Sequence, residues 1–200
     1  MEQPPPCVLG FAPHSGWAAV VMLGGTALAP RVLARERVAL TEEGLEGAKQ
    51  PYHALEGLPL PEARRRLERF EASATRLAVS ALQALLQRAE GVGLRLRSVG
   101  ILDASGGSGA TLEAILASHA LIHTADGNHF RAALAHGCEA QGLVVARVAQ
   151  RELPARAAAA LKRTPPQLAQ VLAGLGAGLG APWGADQKSA ALLAWLLLAD

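Results

Sequence analysis

Apolar and polar positions divide the chain into short runs with different periods. Residues 7–11 and 17–23 are apolar runs rich in Val, Leu and Ala, and Pro13–Gly16 separates them with turn chemistry. This is the pattern of two antiparallel strands joined by a tight hairpin. After Gly24-Gly25, residues 31–40 alternate, with Val32, Ala34, Val38 and Leu40 set against Arg31, Arg35 and Arg37. A half-exposed third strand at a sheet edge fits that alternation. Residues 41–60 are polar and broken by Gly and Pro, so they read as a loop. From Pro61 the period changes: Leu67, Phe70, Ala74, Leu77, Ala78, Ala81, Leu82 and Leu85 recur every three or four residues up to Glu90-Gly91. That is an amphipathic helix with proline at its start.

The second half repeats the alternation of types. Residues 94–102 predict a fourth strand ending at Asp103, a Ser/Gly loop follows over 104–109, and 111–141 is helical with a break expected near Gly127. Residues 143–148 predict a fifth strand. Short helices follow over 154–162 and from Thr164 to about residue 173, then a Gly-rich tract over 174–184 that reads as a mobile loop over the end of the sheet, and a last apolar helix over 186–198. Strands four and five are each reached through a helix, which implies parallel pairing and helices packed on the sheet. Residues 1–6 read as a disordered lead and 7–200 as one α/β domain.

Composition narrows the function classes. The chain has 200 residues and is 50% hydrophobic, with only three Trp, three Phe and one Tyr, and its formal charge is +2. So small a surplus does not demand a nucleic-acid partner, although a local basic patch can still serve one. Cys7 and Cys138 stand alone, in no metal-ligand spacing, which argues against a disulfide framework or a structural zinc site and fits a cytoplasmic protein. The longest apolar stretch, 190–199, is about half of what a bilayer span requires, so no membrane association is expected.

Three motifs carry a resemblance. Gly10-Phe11-Ala12-Pro13-His14-Ser15 at the end of the first strand resembles the Gly-hydrophobic-Asp-Pro-Gly-Ser of Holliday-junction resolvases of the RuvC type. Asp103, after Gly100-Ile101-Leu102, stands where that family has a Glu at the tip of the fourth strand. Ala185-Asp186-Gln187-Lys188-Ser189-Ala190 is similar to the Ala-Asp-x-x-Asp-Ala that opens its last helix. The resemblance implies a ribonuclease H-like fold: a mixed five-stranded sheet, three antiparallel strands and then two parallel, flanked by helices. It also implies a homodimer, for which the apolar face of 111–141 is the candidate interface. The family's four carboxylates become Ala12, Asp103, Asp186 and Ser189. Hydrolysis of a phosphodiester with two Mg²⁺ ions needs several oxygens around the pair, and two carboxylates would hold at most one ion.

Three functions stay open at this stage. The first is a non-catalytic module associated with nucleic acid or a protein partner. The second is a divalent-metal nuclease on Asp103 and Asp186, with His14 as a replacement ligand for Mg²⁺. The third is a small-molecule hydrolase in which His14, Ser15 and Asp103 form an activated nucleophile. For nucleic acid, the candidate cations are Arg64, Arg65, Arg66 and Arg69 at the start of the long helix with Lys162 and Arg163, and Trp183 is the one aromatic expected in an exposed loop. A separate polar island holds His119 and His123, four apart and so on one helix face, with Asp126 or His129 close by. Their spacing suits a metal, or an anion or substrate pocket shared with Asp103 and the Ser/Gly loop; a hydrogen-bonded surface pair is the plainer reading.

Overall fold

The computed structural model describes residues 4–104 and 109–199; the Ser/Gly loop expected to shape a pocket falls at 105–108, outside the described residues. The strands are β1 (Pro6–His14), β2 (Trp17–Gly25), β3 (Pro30–Ala39), β4 (Arg95–Asp103) and β5 (Val144–Ala149). The helices are α1 (Leu60–Gly91), α2 (Leu112–Leu116), α3 (His119–Glu139), α4 (Leu153–Leu161), α5 (Pro165–Leu175) and α6 (Ala185–Leu198), and a 3-10 turn covers His53–Leu55. They form one sheet in the order β3-β2-β1-β4-β5. β1, β2 and β3 pair antiparallel, and β4 and β5 join β1 in parallel, as the crossover helices require.

The central strands read as unbroken apolar runs because both of their faces are covered. Cys7, Leu9 and Phe11 of β1 and Val20 and Met22 of β2 pack against α1 and α3. Val8, Ala12, Val21 and Leu23 face α4, α5 and α6. The strand period of two thus divides neighbouring residues between two cores. α6 is buried on every side from Ala190 to Leu197 and lies close against the sheet. A Cβ on Gly10 would collide with the carbonyl of Ala190 and come within 2.9 Å of the Ala194 nitrogen, and one on Gly100 would lie 2.6 Å from the Leu193 side chain. The two glycines set how near the start of α6 comes to the tip of β1.

Several boundaries differ from expectation. The sheet holds the chain from Pro5, whose carbonyl accepts the Arg95 N–H at 3.0 Å, so the disordered lead does not extend to residue 6. β1 runs on through Pro13 to His14, leaving a two-residue hairpin loop of Ser15 and Gly16, the latter at φ +81°. Pro13 is tolerated because it lies beyond Phe11, the last β1 residue with a β4 partner. The helical break falls at Ala117-Ser118, where Ser118 is extended, and Gly127 lies inside α3. The apolar face proposed for a dimer contact is core: Phe130, Leu134 and Cys138 of α3 are fully buried against the sheet and α1. The Gly-rich tract is anchored. Arg35 of β3 donates to the carbonyls of Leu179 (2.6 Å), Ala181 (3.2 Å) and Pro182. Among the described residues no helix is long and apolar enough to cross a membrane.

Candidate functional site at the strand tips

β1, β4 and β5 end on one edge of the sheet, where α6 begins, and the polar side chains of the site gather there. His14 is the last residue of β1 and points to the α6 side. Its Nε2 lies 3.0 Å from Oδ1 of Asp186, and both side chains are about 40% exposed (41% and 39%). Asp186 sits in the first turn of α6, where the helix dipole favours a carboxylate. The His14 ring stacks on Trp17, with centroids 4.3 Å apart and planes at 10°, and the Arg37 guanidinium carbon lies 4.0 Å from the Trp17 ring centre. An imidazole, an indole and a guanidinium therefore form a row across β1, β2 and β3.

Asp103 does not join them. Val99 and Ile101 of β4 face α1 and α3, and the period of two carries Asp103 to that same side, opposite to Ala12. Its carboxylate accepts two hydrogen bonds from Arg147 of β5, from Nε at 2.9 Å and Nη2 at 2.7 Å, a fork-on-fork pair. That pair raises the Arg147 guanidinium above its ordinary range.

Between the two groups lies Arg131 of α3, 9% exposed. Its Nε donates to the Leu102 carbonyl at 3.0 Å and its Nη1 to the Gly127 carbonyl. Burial pulls its basicity down, the Asp103 charge pushes it back up and Arg147 opposes it; an arginine so placed keeps its charge. With Ala12, His14, Asp186 and Ser189 it lines a cavity of about 40 Å³. Gly127 makes room for it, since a Cβ there would stand 3.0 Å from Nη1.

The proposed nucleophile does not assemble. Ser15 opens into a separate depression with Trp17, Arg37 and Lys49, His14 is engaged by Asp186 and Asp103 by Arg147. The six candidate cations do not form one patch. Arg64, Arg65, Arg66 and Arg69 begin α1, on the α1/α3 side of the sheet, and Arg64 pairs with Glu113 at 2.8 Å. Lys162 and Arg163 follow α4 on the other side. Arg163 lies 5.5 Å from the Trp195 ring, whose Nε1 donates to Ala27 at the far β2–β3 turn at 2.8 Å. Trp183 is half-buried, with its Nε1 on the Leu172 carbonyl at 2.8 Å; Trp17 is half-buried too, against His14 and Arg37, and the exposed ring of that row is His14. His119 and His123 do meet, Nε2 to Nε2 at 3.0 Å, and His53 joins them: its Nδ1 bonds the buried Asp126.

Solved structures match this fold, two RuvC structures among them. Thermus thermophilus RuvC in complex with a Holliday junction substrate superposes with a TM-score of 0.51 at 16% identity, over 95% of this chain and 90% of that one. A second T. thermophilus RuvC structure gives 0.50 at 17%, over 95% and 92%. The chain has a ribonuclease H-like fold of the RuvC kind. No protein-family model and no curated protein matches it by sequence.

The RuvC-like places do not fit a pair of Mg²⁺ ions. Ala12 offers no oxygen, both Asp103 oxygens are held by Arg147, and a buried guanidinium lies among the rest. Sequence reasoning missed Arg131 and Arg147, although each left a trace. Arg131 is a lone charge between Phe130 and Ala132-Ala133-Leu134, four residues after a mid-helix glycine, and Arg147 is a lone charge in a fully apolar strand. His53 lies in a polar loop far from α3, and no spacing signals it.

Proposed function

We propose that this chain is a RuvC-like module that binds nucleic acid at its strand tips without cleaving it. The observation that supports the reading is Arg131, a buried cation set among Ala12, Asp186 and Ser189, three of the four places where the resemblance calls for carboxylates. Two-cation hydrolysis needs a concentration of negative oxygen. Here Asp103 and Asp186 are the carboxylates of the tip, and Arg131 and Arg147 balance them. The exposed His14 ring, backed by Trp17, and the exposed Arg37 guanidinium offer what an unpaired base and its phosphate use: a planar ring face and a planar cation.

The RuvC of T. thermophilus is described with a Holliday junction substrate, so branched DNA is the first ligand to test. Labelled four-way junction, duplex and single strand are titrated with the protein in EDTA at two salt concentrations, followed by anisotropy. The products are then run on denaturing gels after incubation with Mg²⁺ or Mn²⁺. The reading expects binding in EDTA that weakens with salt, and intact strands. Strand cleavage that disappears in an Asp103→Asn, Asp186→Asn double variant overturns it in favour of a nuclease. Absence of binding to all three DNAs leaves a protein partner as the ligand.

A further inference from the structure

We propose that His53, His119 and His123 form a binding site for a divalent transition-metal cation of the Zn²⁺ class, on the opposite side of the sheet from His14 and Asp186. One ring nitrogen of each histidine lies within 4.8 Å of those of the other two. A tetrahedral zinc with Zn–N bonds of about 2.0–2.1 Å holds its nitrogens roughly 3.4 Å apart. The Nε2 atoms of His119 and His123, at 3.0 Å, already stand at nearly that spacing. His119 and His123 are exposed, so small rotations of their side chains bring their nitrogens to the half-buried His53.

The outer partners are arranged as a metal site arranges them. A ligating histidine donates its other ring N–H to a carboxylate or carbonyl, which fixes the ring and raises its basicity. His53 presents Nδ1 to the Asp126 carboxylate, leaving Nε2 for the cation. Asp126 is itself held by the Tyr52 N–H at 2.7 Å and is 4% exposed. His119 turns Nδ1 toward Glu56, at 3.8 Å, and its Nε2 toward His123. Two of the three imidazoles thus have a carboxylate behind them. The two carboxylates match the charge of a divalent cation and offset the positive dipole at the start of α3. Three nitrogen donors select zinc, cobalt or nickel over Mg²⁺, and three protein ligands leave a fourth position for water or a ligand. The cation would tie the loop before α1 to the first two turns of α3.

The test uses the full chain after chelator treatment, titrated calorimetrically with Zn²⁺ and followed in parallel by the visible absorption of Co²⁺. The proposal expects one ion per chain and a Co²⁺ spectrum of four-coordinate character. It expects Asp126→Asn to weaken binding about 10–100-fold, as outer-shell losses do, and His53→Gln or His123→Gln to weaken it more. His123 is exposed, so its replacement leaves the fold intact, which circular dichroism verifies. Absence of binding overturns the proposal. So does zinc bound with equal affinity by wild type, His53→Gln and His123→Gln, since the ion would then sit elsewhere.

Discussion

His129 offers the sharpest quantitative test of this structure. It lies on α3, 7% exposed, with its ring edge-on to Phe130 at 4.9 Å and to Tyr52 at 6.5 Å. The imidazole hydrogen-bonds the main chain of Phe70, while its Nε2 is buried with no hydrogen-bond partner among the described residues. A proton added at Nε2 would place a charge and an unpaired N–H in the interior. Burial accordingly pushes the group down from 6.5 to about 4, against the opposing pull of the Phe70 bond.

The unfolded chain takes up this proton first as pH falls. The contribution to stability is therefore complete above about pH 6.5 and is lost progressively toward pH 4. The two values imply a loss of about 2 kcal/mol between pH 7 and pH 5, and about 3 kcal/mol by pH 4. Urea unfolding of wild type and His129→Leu at pH 7 and pH 5 isolates the effect. Every other ionisable group is common to both proteins, Glu71 included, whose carboxyl is raised by burial and by Glu68, and their contributions cancel in the difference. The variant gives up the Phe70 hydrogen bond, about 1 kcal/mol, so it should be the weaker protein at pH 7 and at least the equal of wild type at pH 5. An equal loss in both proteins over that interval would refute the reasoning.

Other expectations follow from single contacts. Gly10→Ala drives a Cβ into the main chain of Ala190, which cannot rotate away, so the urea midpoint should fall by the equivalent of at least 1–3 kcal/mol, roughly the cost of overpacking. Arg147→Gln breaks a bidentate pair whose side chains are 45% and 27% exposed; solvent screening limits the loss to about 1 kcal/mol or less, read from the same melts. His14→Ala, in the DNA-binding assay, should weaken binding of single-stranded or branched DNA by about 1–3 kcal/mol if one base stacks on its exposed ring; an unchanged affinity would remove the His14–Trp17–Arg37 row from the interface.

What was legible in the sequence follows from what each pattern depends on. β1 and β2 were readable because a strand buried on both faces needs an apolar run, and α1 because its buried face imposes a period near 3.6. Gly127 misled because glycine's backbone freedom suggests a break, whereas its missing side chain serves the Arg131 guanidinium. The carboxylates were found, yet their grouping was not. Position along the chain says that Asp103 lies at a strand tip; which face it takes depends on register, and that face put it with Arg147 and left His14 to Asp186. The histidines divided in the same way: His119 and His123 are visible as a helical pair, and His53 arrives only through the packing of a loop.

Ala12 stands where the resemblance leads one to expect a first-strand carboxylate, and the acids nearby are partnered within the fold. In a site of four carboxylates, mutual repulsion is relieved by bound cations, and removing one acid would leave a weaker version of the same site. Here the remaining acids have been given other partners: Asp103 holds Arg147 and Asp186 holds His14. The space is shared with a guanidinium whose own hydrogen bonds run to Leu102 and Gly127. A buried arginine costs several kcal/mol of desolvation unless it is paired and hydrogen-bonded; with the carbonyls and the Asp103 charge on hand, that cost is offset within the protein. The two carboxylates of the tip are thus partnered within the protein, while Arg37 stays exposed in the row with His14 and Trp17; on the proposed reading, that cation faces a nucleic-acid phosphate. Restoring Asp at position 12 alone should therefore not create a metal site, because the new carboxylate would pair with Arg131 first. Mn²⁺ titration of Ala12→Asp should show no added ion, and a newly bound ion there would mean that Arg131 is not the group holding the site closed.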